Sequence, residues 1–420
     1  MDKRYLRWLL LVALLSILAA QFDARPELRA FLSRDYWQSL MRYGKVLRIV
    51  ESEYVHADDV NFHDLTDIAL REAVRSLDAY SDYMKAAEYE EFNMAANQEY
   101  VGVGIEISEF SGRVIISQVF EQGSAENAGV LSGDLIVGID GSDMRGESLT
   151  EVVERIRGEP GTIVVLDIER PITGELISFD LERVAIALDS VVDVEMKTGN
   201  VGYLKVRQFI DATDEEMLAA IETLNEQGMK GLILDLRSNP GGRLDTAARM
   251  AEIFLEEGQT ILTVQSRRGV DDVFHARETE HTYTGPIIVL IDGGSASASE
   301  ILAGALRDNK RALLVGEKSF GKGSVQSVIG FHGGDGLKLT SARYLLPSGE
   351  AINGTGVSPD ITAEMAADDS ILLILQKHHL RQMSEDVFAR TFGFAPVEDS
   401  QLKVATEILE AKLLADTDTL

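Results

Sequence analysis

The sequence predicts a multidomain α/β protein, and three patterns along the chain support this fold class. From Asn200 onward, apolar strands alternate with helical segments, which is typical of βα units on a parallel sheet. From Tyr100 to about residue 185, short apolar runs separated by glycines predict a compact β-rich module. The regions before the β-rich module and after the βα units show apolar residues at helical spacing, which predicts helices at both ends of the chain. The 420 residues suffice for roughly two to four domains.

The domain boundaries follow these changes of pattern. We expect a leader over residues 1–22, an N-terminal helical region over 36–97, the β-rich module over 98–185, the βα core over 186–365 and a C-terminal helical region over 366–420. We assign no chemistry to the C-terminal region. No solenoid-like repeat and no low-complexity tract interrupts this order.

The N-terminus carries the pattern of an export signal. A short basic stretch is followed by an apolar run from Trp8 to Ala20, broken only by Ser16. The run is shorter than the ~20 residues that a spanning helix needs, and it ends in small residues, as secretory signals do. We expect a signal peptide, with an uncleaved signal anchor or a buried N-terminal helix as alternatives. Both export interpretations place the protein outside the cytoplasm, in the periplasm or another extracytoplasmic compartment, the anchor holding it to the inner membrane.

The composition excludes several classes of protein. Hydrophobic residues make up 45% and charged residues 26%, which is ordinary for globular proteins and argues against disorder and fibrous repeats. The net charge of −29 repels nucleic-acid phosphates, so we expect no nucleic-acid partner. The cysteine count is 0, which excludes a disulfide framework, a Cys-based zinc site and a thiol nucleophile.

Individual elements follow from apolar periodicity and from turn residues. Strands are predicted at residues 114–117, 135–139, 163–168, 201–209, 231–237, 286–292, 312–315 and 337–346. Helices are predicted at residues 244–255, 299–309, 371–380 and 402–414. The segments Ser148-Leu149-Thr150-Glu151 and Thr213-Asp214-Glu215-Glu216 fit capping boxes, so each predicts a helix start.

A serine-rich segment, Gly-Gly-Ser-Ala-Ser-Ala-Ser-Glu at residues 293–300, follows an apolar strand and opens a helix. A hydroxyl there lies near free backbone N–H groups and the positive end of the helix dipole, which favour a developing oxyanion. We expect Ser299 to be the N-cap and Ser297, just before the helix, to be the nucleophile. A plain helix cap is the alternative, because Ser is a preferred N-cap residue.

Lys322 is the candidate general base. It follows Ser297 by one helix and one strand, which is enough to bring the chain back beside that serine. In an extended segment Lys322 and Gln326 point the same way, so Gln326 can hydrogen-bond the amine. A buried lysine loses its charged form through desolvation and can then accept a proton. An exposed loop lysine is one alternative. A phosphate loop starting at Gly316 is another, although Gly323 stands where Ser or Thr should bind Mg²⁺.

The segment Asp235-Leu236-Arg237-Ser238-Asn239-Pro240-Gly241-Gly242 ends a predicted strand. Pro240 has no N–H, so Gly241 and Gly242 are the available donors, and the missing Cβ lets a substrate carbonyl approach. One of these glycines and the N–H of Ala298 can form an oxyanion hole. A tight strand-to-helix turn is the alternative.

A glycine-punctuated loop opens the β-rich module. The sequence Tyr-Val-Gly-Val-Gly-Ile-Glu-Ile at residues 100–107 presents successive N–H groups to a carboxylate, and the strand after it can pair with an extended peptide. We therefore expect a peptide-binding site at Gly102, Val103, Gly104 and Ile105. The segment at residues 128–136 fits an inner turn and strand of such a module.

Other hydrolase signatures are absent from the sequence, which contains neither Gly-x-Ser-x-Gly nor His-Glu-x-x-His. Among the seven histidines, only His332 lies in the βα region directly beside a Gly turn. A Ser–His arrangement that uses His332 stays open, with a surface loop histidine as the alternative.

In this order, the four segments resemble the C-terminal processing, or tail-specific, serine peptidases with an embedded PDZ domain. The resemblance runs from about Tyr43 to Ile361 and is most specific in Ser-Ala-Ser-Ala-Ser-Glu and Phe-Gly-Lys-Gly-x-Val-Gln. Ala79 and Tyr80 depart from the family pattern in the helical region, and Leu346 replaces a frequent Thr. None of these changes removes a catalytic group.

The resemblance implies a ClpP/crotonase-like protease core with an inserted PDZ domain. It implies Ser297 as nucleophile, Lys322 as base and Gln326 as the partner of that lysine, with no metal or cofactor. It also implies that the PDZ domain binds apolar C-terminal tails through the N–H groups of residues 103–105. Arg157 lies where some relatives couple the PDZ domain to the active site.

We therefore expect an exported serine endopeptidase that cleaves proteins near their C-termini. The alternative from another class is a PDZ adaptor on an inactive protease scaffold, against which the retained Ser, Lys and Gln argue. The sequence leaves open an adaptor or activator protein and a homo-oligomeric state.

Overall fold

The structure is a computed structural model, and it divides into two units, Met1–Lys85 and Ala86–Leu420. It describes residues 33–56, 60–96, 100–120, 123–171, 173–186, 189–279, 283–366, 369–380, 384–392 and 394–417. The expected leader over residues 1–22 lies outside the described residues. Among those that are described, no helix combines the length and apolar character needed to cross a membrane.

The first unit contains α1 (Arg34–Glu53), α2 (Phe62–Arg75) and β1 (Asp82–Met84). Ser33 caps α1 by accepting a hydrogen bond from the N–H of Tyr36, and Asn61 caps α2 in the same way. The helical prediction for this part of the chain is confirmed.

The second unit contains the β-rich module, the βα core and the C-terminal helices. Its helices are α3 (Ala86–Ala96), α4 (Ser124–Ala128), α5 (Leu149–Ile156), α6 (Thr213–Glu226), α7 (Leu244–Glu252), α8 (Ala298–Asp308), α9 (Asp369–His379), α10 (Glu385–Phe392) and α11 (Ser400–Thr417). Its strands are β2 (Tyr100–Gly102), β3 (Ile105–Phe110), β4 (Arg113–Val119), β5 (Leu135–Ile139), β6 (Ser142–Asp143), β7 (Ile163–Arg170), β8 (Glu175–Glu182), β9 (Val184–Ile186), β10 (Val191–Lys197), β11 (Val201–Val206), β12 (Gly231–Asp235), β13 (Thr260–Ser266), β14 (Gly269–His275), β15 (Ile287–Ile291), β16 (Ala312–Gly316), β17 (Ser324–Gly330), β18 (Gly336–Leu345) and β19 (Ile361–Thr362).

The β-rich module is an antiparallel sheet with the order β3-β4-β5-β7-β8. Helix α5 covers it and begins after Ser148, which accepts a hydrogen bond from the N–H of Glu151 at 3.2 Å, as predicted. Val152 and Ile156 of α5 are buried in the same apolar cluster as Ile116, Ile139 and Leu166 of the sheet. In the part of the chain that the structure describes, β3 ends the sheet order, so one edge of β3 has no strand beside it.

The βα core is built on a sheet with the order β10-β11-β12-β15-β16-β19, in which β11 to β19 run parallel and β10 runs antiparallel. Side chains alternate between its faces. Leu232 and Leu234 pack in the cluster that contains α6, α7 and α8, whereas Ile233 packs in the cluster that contains α11. Both faces are therefore covered, which explains the continuous apolar strands.

A second antiparallel sheet joins β17, β18, β13 and β14. The sequence did not predict the hairpin of β13 and β14, because its second strand is largely exposed and carries Asp271 and Asp272. The phosphate-loop alternative is contradicted here, since the residues after Lys322 form strand β17 and not a helix.

The predicted capping box at Thr213 is wrong. Helix α6 already includes Thr213, whose hydroxyl accepts from the N–H of Ile210 at 2.8 Å. The carboxylate of Glu216 instead accepts from the backbone N–H groups of Ser190 and Val191, which fastens the start of β10.

Candidate active site

The site lies where two neighbouring parallel strands end. Asp235, the last residue of β12, pairs with Leu290 of β15. The turns that follow these strands, at residues 236–242 and 292–297, therefore leave the same edge of the sheet side by side. This edge is where α/β proteins commonly place functional groups.

The three serines of the Ser-Ala-Ser-Ala-Ser segment have different surroundings. Ser295 and Ser299 are fully buried, and their hydroxyls donate to the carbonyl oxygens of Leu236 and Asn239 at 2.8 and 2.9 Å. Ser297 is half-buried and has φ +56°, a left-handed backbone that a non-glycine residue rarely adopts. The outer serines thus fasten this segment to the neighbouring turn, and Ser297 remains the accessible hydroxyl.

The prediction that Ser299 caps the helix is wrong. Helix α8 begins at Ala298, its N-cap is Ser297, and Ser299 is the second helical residue. The candidate nucleophile therefore lies directly at the helix N-terminus, where the dipole favours negative charge.

The carboxylate of Glu300 connects the nucleophile segment to the lysine segment. Its Oε2 accepts from the N–H groups of Ser297 and Lys322, both at 2.8 Å. Its Oε1 accepts from the N–H of Gly321 at 2.7 Å and from the hydroxyl of Ser319 at 2.5 Å. Glu300 is fully buried. One buried carboxylate thus gathers donors from two segments that are distant in sequence, and charge-assisted bonds of this kind are strong.

The sequence motif alone gave no role to Glu300. The signal was present, because Ser297 and Glu300 stand three residues apart at a helix start, the spacing at which an N3 carboxylate accepts from the N-cap N–H. The bonds to Gly321 and Lys322 could not be predicted from that pattern.

Lys322 is half-buried in the segment before β17. Burial lowers the pKa of its ammonium group, the positive charge of Lys338 lowers it further, and the charge of Glu300 opposes both effects. At a given pH a larger fraction of Lys322 is therefore neutral than for an ordinary lysine. Lys338 itself lies over the ring of Phe92, with its Nζ 5.6 Å from the ring centroid.

Gln326 lies on β17. Its amide nitrogen donates to the hydroxyl of Ser324 at 2.8 Å and to that of Thr340 at 3.4 Å. The orientation of the amide is thereby set, and its carbonyl oxygen is the atom that can accept a hydrogen bond from an amine.

The turn at residues 238–242, the glycine turn, lies against the candidate nucleophile Ser297. Gly241 has φ +99°, and a Cβ added there would come within 2.6 Å of the carbonyl oxygen of Ala296 and 2.8 Å of the Cβ of Ser297. The N–H of Gly241 donates to Oδ1 of Asn239 at 2.9 Å. The N–H groups of Gly242 and Ala298 make no hydrogen bond with the described part of the chain. Of the predicted oxyanion donors, Ala298 and Gly242 are therefore available, and Gly241 is engaged.

The glycine loop of the β-rich module is tightly constrained. Gly104 has φ +85°, and a Cβ there would lie 2.6 Å from the Cα of Gly123. The carbonyl oxygens of Val103 and Gly104 accept from the N–H groups of Ala125 and Phe120, both at 2.9 Å. The loop backbone is thus fixed on one side, and only glycine fits at position 104.

A cavity of about 600 Å³ joins this loop to the βα core. It is lined by all four predicted peptide-binding residues, by Ile107 on β3 and by Val153 and Ile156 on α5. Ser238 and Pro240 of the glycine turn line the same cavity. Arg157, which is exposed at the end of α5, also belongs to the lining. The loop, the exposed edge of β3 and the turn beside Ser297 therefore face one continuous space.

One further contact links the module to the core at this cavity. Arg207, which follows β11, donates to Oε1 of Gln118 at 2.7 Å, and its guanidinium lies 5.2 Å from the centroid of the Phe120 ring. No sequence pattern indicates this contact, because it joins side chains that are far apart in sequence.

His332 lies apart from these groups. It is exposed in the turn between β17 and β18. His332 is not among the residues that donate hydrogen bonds to Glu300 in the described part of the chain.

Comparison with known proteins agrees with the two halves of this arrangement. Residues 200–363 match the model of peptidase family S41, and residues 115–170 match that of the PDZ domain. The chain is 38% identical over 333 residues to a carboxy-terminal-processing protease of Bartonella bacilliformis, covering 78% of this chain and 76% of the relative. It is 34% identical to the carboxy-terminal processing protease CtpA of Bacillus subtilis, covering 77% and 69%.

Among solved structures, the photosystem II D1 C-terminal processing protease is similar, with a TM-score of 0.51 and 29% identity over 76% of this chain and 92% of that one. The mixed α/β core, the PDZ region and the terminal helices agree with the fold that the sequence predicted. The chain therefore belongs to the carboxy-terminal processing proteases, the serine peptidases of family S41 that carry a PDZ domain.

Proposed function

We propose that the protein cleaves exported proteins near their C-termini by a Ser297–Lys322 dyad. The observation that carries this proposal is the shared bonding of both residues to Glu300, because it holds the backbones of the nucleophile and the base against one buried carboxylate. The lowered pKa of Lys322 supports its role as a general base, since only the neutral amine accepts a proton.

In this mechanism, the neutral amine of Lys322 takes the proton of Ser297 as the serine Oγ attacks the scissile carbonyl carbon. The resulting oxyanion accepts hydrogen bonds from the N–H groups of Ala298 and Gly242. The Lys322 ammonium then gives its proton to the leaving amine, and an acyl-enzyme remains on Ser297. Water attacks that ester while Lys322 takes the proton of the water molecule and returns it to the serine Oγ. The carbonyl oxygen of Gln326 orients the amine throughout.

We also propose that the PDZ domain, residues 98–185, recruits the C-terminal tails of substrates to the protease core, residues 186–365. A tail would pair with the exposed edge of β3 and place its carboxylate at the N–H groups of Val103, Gly104 and Ile105, next to Gly102. The apolar side chains that line the cavity, among them Ile107 and Val153, support a preference for apolar tails. Arg157 stands at the same cavity and is our candidate for a residue that senses the bound tail.

The basic and apolar N-terminus supports export, with residues 1–22 as a signal peptide or anchor. A substrate protein is the partner that this mechanism requires.

The test is cleavage of a protein with an apolar C-terminal tail by the wild type and by Ser297→Ala, Lys322→Ala and Gln326→Ala. We expect no cleavage by the first two variants and slow cleavage by the third. Equal cleavage by wild type and Ser297→Ala would contradict the proposal. Tail binding by the wild type without any turnover would favour the adaptor hypothesis.

A further inference from the structure

The C-terminal segment supplies two side chains to the arginine that precedes the glycine turn. Nη1 and Nη2 of Arg237 donate to the two carboxylate oxygens of Asp399, at 2.8 and 2.9 Å. Nη1 also donates to Oε1 of Gln401 at 3.1 Å. Asp399 stands 162 residues further along the chain, directly before α11. A segment to which the sequence assigned no chemistry therefore reaches the edge of the active site.

Arg237 is held on its other side by Asp235. Nε and Nη2 donate to the carboxylate of Asp235 at 3.0 and 2.6 Å, and the backbone N–H of Arg237 donates to the same group at 2.9 Å. A planar guanidinium clamped by two carboxylates has a fixed orientation. Because Ser238 follows directly, the clamp sets where the turn at residues 238–242 begins.

The position of Asp399 is fixed by hydrogen bonds and by the packing of the helix that follows it. Its Oδ1 accepts from the N–H of Leu402 at 2.9 Å, so it caps α11, and Ala405 and Leu409 of that helix are buried against the core sheet. Two residues before Asp399, the N–H and carbonyl oxygen of Val397 are both bonded to the side-chain amide of Gln376, at 2.8 and 2.7 Å.

Helix α9, which carries Gln376, packs on the PDZ domain. Its neighbour Leu375 is fully buried with Ile115 and Leu135 of the PDZ sheet. The segment that ends in Asp399 is therefore anchored on the PDZ sheet and on the core sheet at once.

We propose that Asp399 is a positioning residue of the peptidase, which holds Arg237 so that the turn at residues 238–242 presents its N–H donor to the oxyanion. This inference rests on the proposed function, because it concerns the oxyanion donor of that mechanism. A shift of about 1 Å in such a donor costs on the order of 10²-fold in rate. The expected effect is on kcat, since the donor binds charge that exists only in the transition state.

Asp399→Asn is a suitable variant, because Arg237 keeps its buried partner Asp235 and no unpaired buried charge is created. Glu398→Gln is the matched control. It makes the same acid-to-amide change at the preceding residue, whose exposed carboxylate pairs only with Lys403 among the described residues.

The experiment measures kcat and KM on a tailed peptide, and the affinity of a peptide aldehyde that forms a tetrahedral adduct with Ser297. We expect Asp399→Asn to lower kcat about tenfold or more, to leave KM within about twofold, and to weaken aldehyde binding by the same factor as kcat. Glu398→Gln should behave like the wild type. Unchanged kcat and aldehyde affinity in Asp399→Asn would overturn the inference, and so would a loss of kcat with undiminished aldehyde affinity.

If Asp399→Asn does not fold, Gln401→Ala carries the test, since it keeps Asp399 on Arg237 and removes one hydrogen bond to Arg237 together with one to the carbonyl oxygen of Ala363. The same pattern at smaller amplitude supports the inference, and wild-type values overturn it. The proposed function itself would be overturned, and with it this inference, by two results together: the wild type does not bind the aldehyde, and Ser297→Ala cleaves the substrate as fast as the wild type.

Discussion

The backbone N–H groups of Ser297 and Lys322 donate to the same atom, Oε2 of Glu300, each at 2.8 Å. This relationship explains how a helix start and a Gly-Lys-Gly segment, which are separate in sequence, are held together. The carboxylate also accepts from Gly321 and Ser319, so the whole lysine segment is fastened to the first turn of α8.

Replacing Glu300 tests this connection. We expect Glu300→Ala to abolish cleavage and to lower the free energy of unfolding, because each buried donor left without a partner costs about 1–3 kcal/mol. Glu300→Gln should also be strongly impaired, since an amide turns two donor hydrogens toward N–H groups. Kinetics and urea unfolding measure both effects. Glu226→Gln, at an exposed position of α6, is the control, and wild-type activity in Glu300→Gln would contradict the assignment.

The pH dependence of activity should respond to Lys338. Lys322 must be neutral to act, so the rate rises with pH as its ammonium loses a proton. The positive charge of Lys338 lowers the pKa of Lys322, and Lys338→Gln removes that charge. We therefore expect the pKa of Lys322 to rise and the rising limb of kcat/KM to move to higher pH. Lys338→Arg keeps the charge and should leave the limb in place. A limb that moves to lower pH, or stays fixed, in Lys338→Gln would contradict the role of Lys322.

Substitution at Gly241 should disturb the nucleophile directly. An alanine there combines a left-handed backbone, which costs roughly 1–2 kcal/mol, with a Cβ 2.8 Å from that of Ser297. We expect kcat to fall on the order of 10²-fold. Gly258→Ala has a positive φ of +83° but meets no atom within 4 Å, so it separates backbone strain from the clash. Equal effects of the two substitutions on activity would show that the turn does not act through Ser297.

The tail-binding proposal predicts a different kinetic signature. Val153 lines the cavity from α5, whereas Glu154 on the same helix is exposed and is not part of the lining. Val153→Asp places a carboxylate beside an apolar tail that itself ends in one, so we expect KM for tailed substrates to rise about tenfold or more. Glu154→Gln should leave KM unchanged. Peptide binding measured by fluorescence anisotropy checks the same point, and undiminished binding by Val153→Asp would contradict the groove assignment.

Acid should destabilise the fold through Asp235. Burial raises the pKa of the fully buried Asp235 carboxyl, but the charge and hydrogen bonds of Arg237 outweigh burial. The net result is a pKa lowered from 3.8 to about 2. Because the pKa is depressed in the folded state, the stabilisation is present above pH ~4 and is lost as the pH falls toward ~2, about 2 kcal/mol in all. Urea unfolding between pH 5 and pH 2 should therefore show a weaker pH dependence in Asp235→Asn than in the wild type. Identical slopes would contradict this role.

Local sequence patterns were enough to propose Ser297, Lys322 and the glycine turn as candidates, because each stands in a short run of glycines and small residues near the end of a predicted strand. The structure brings the segments of Ser297 and Lys322 together at Glu300. The start of α8 was placed one residue late, since a buried serine at position 299 looks like a cap until its bond to Asn239 is seen.

Contacts between distant segments could not be predicted in the same way. Arg237 meets Asp399 across 162 residues, and Arg207 meets Gln118 across 89. Such pairs carry no periodicity and no fixed spacing, so only the fold reveals them. The polar hairpin of β13 and β14 escaped prediction for a related reason, because its pairing with β18 and not its own apolar pattern holds it in place.

The most direct test of the central claim is to trap and map the acyl-enzyme. The protein is mixed with an activated ester of a tailed peptide, quenched in acid and digested, and the acylated residue is located by mass spectrometry. We expect the acyl group on Ser297 in the wild type, and no acylation at that position in Lys322→Ala at the same pH. Acylation of another residue, or undiminished acylation of Ser297 without Lys322, would contradict the dyad.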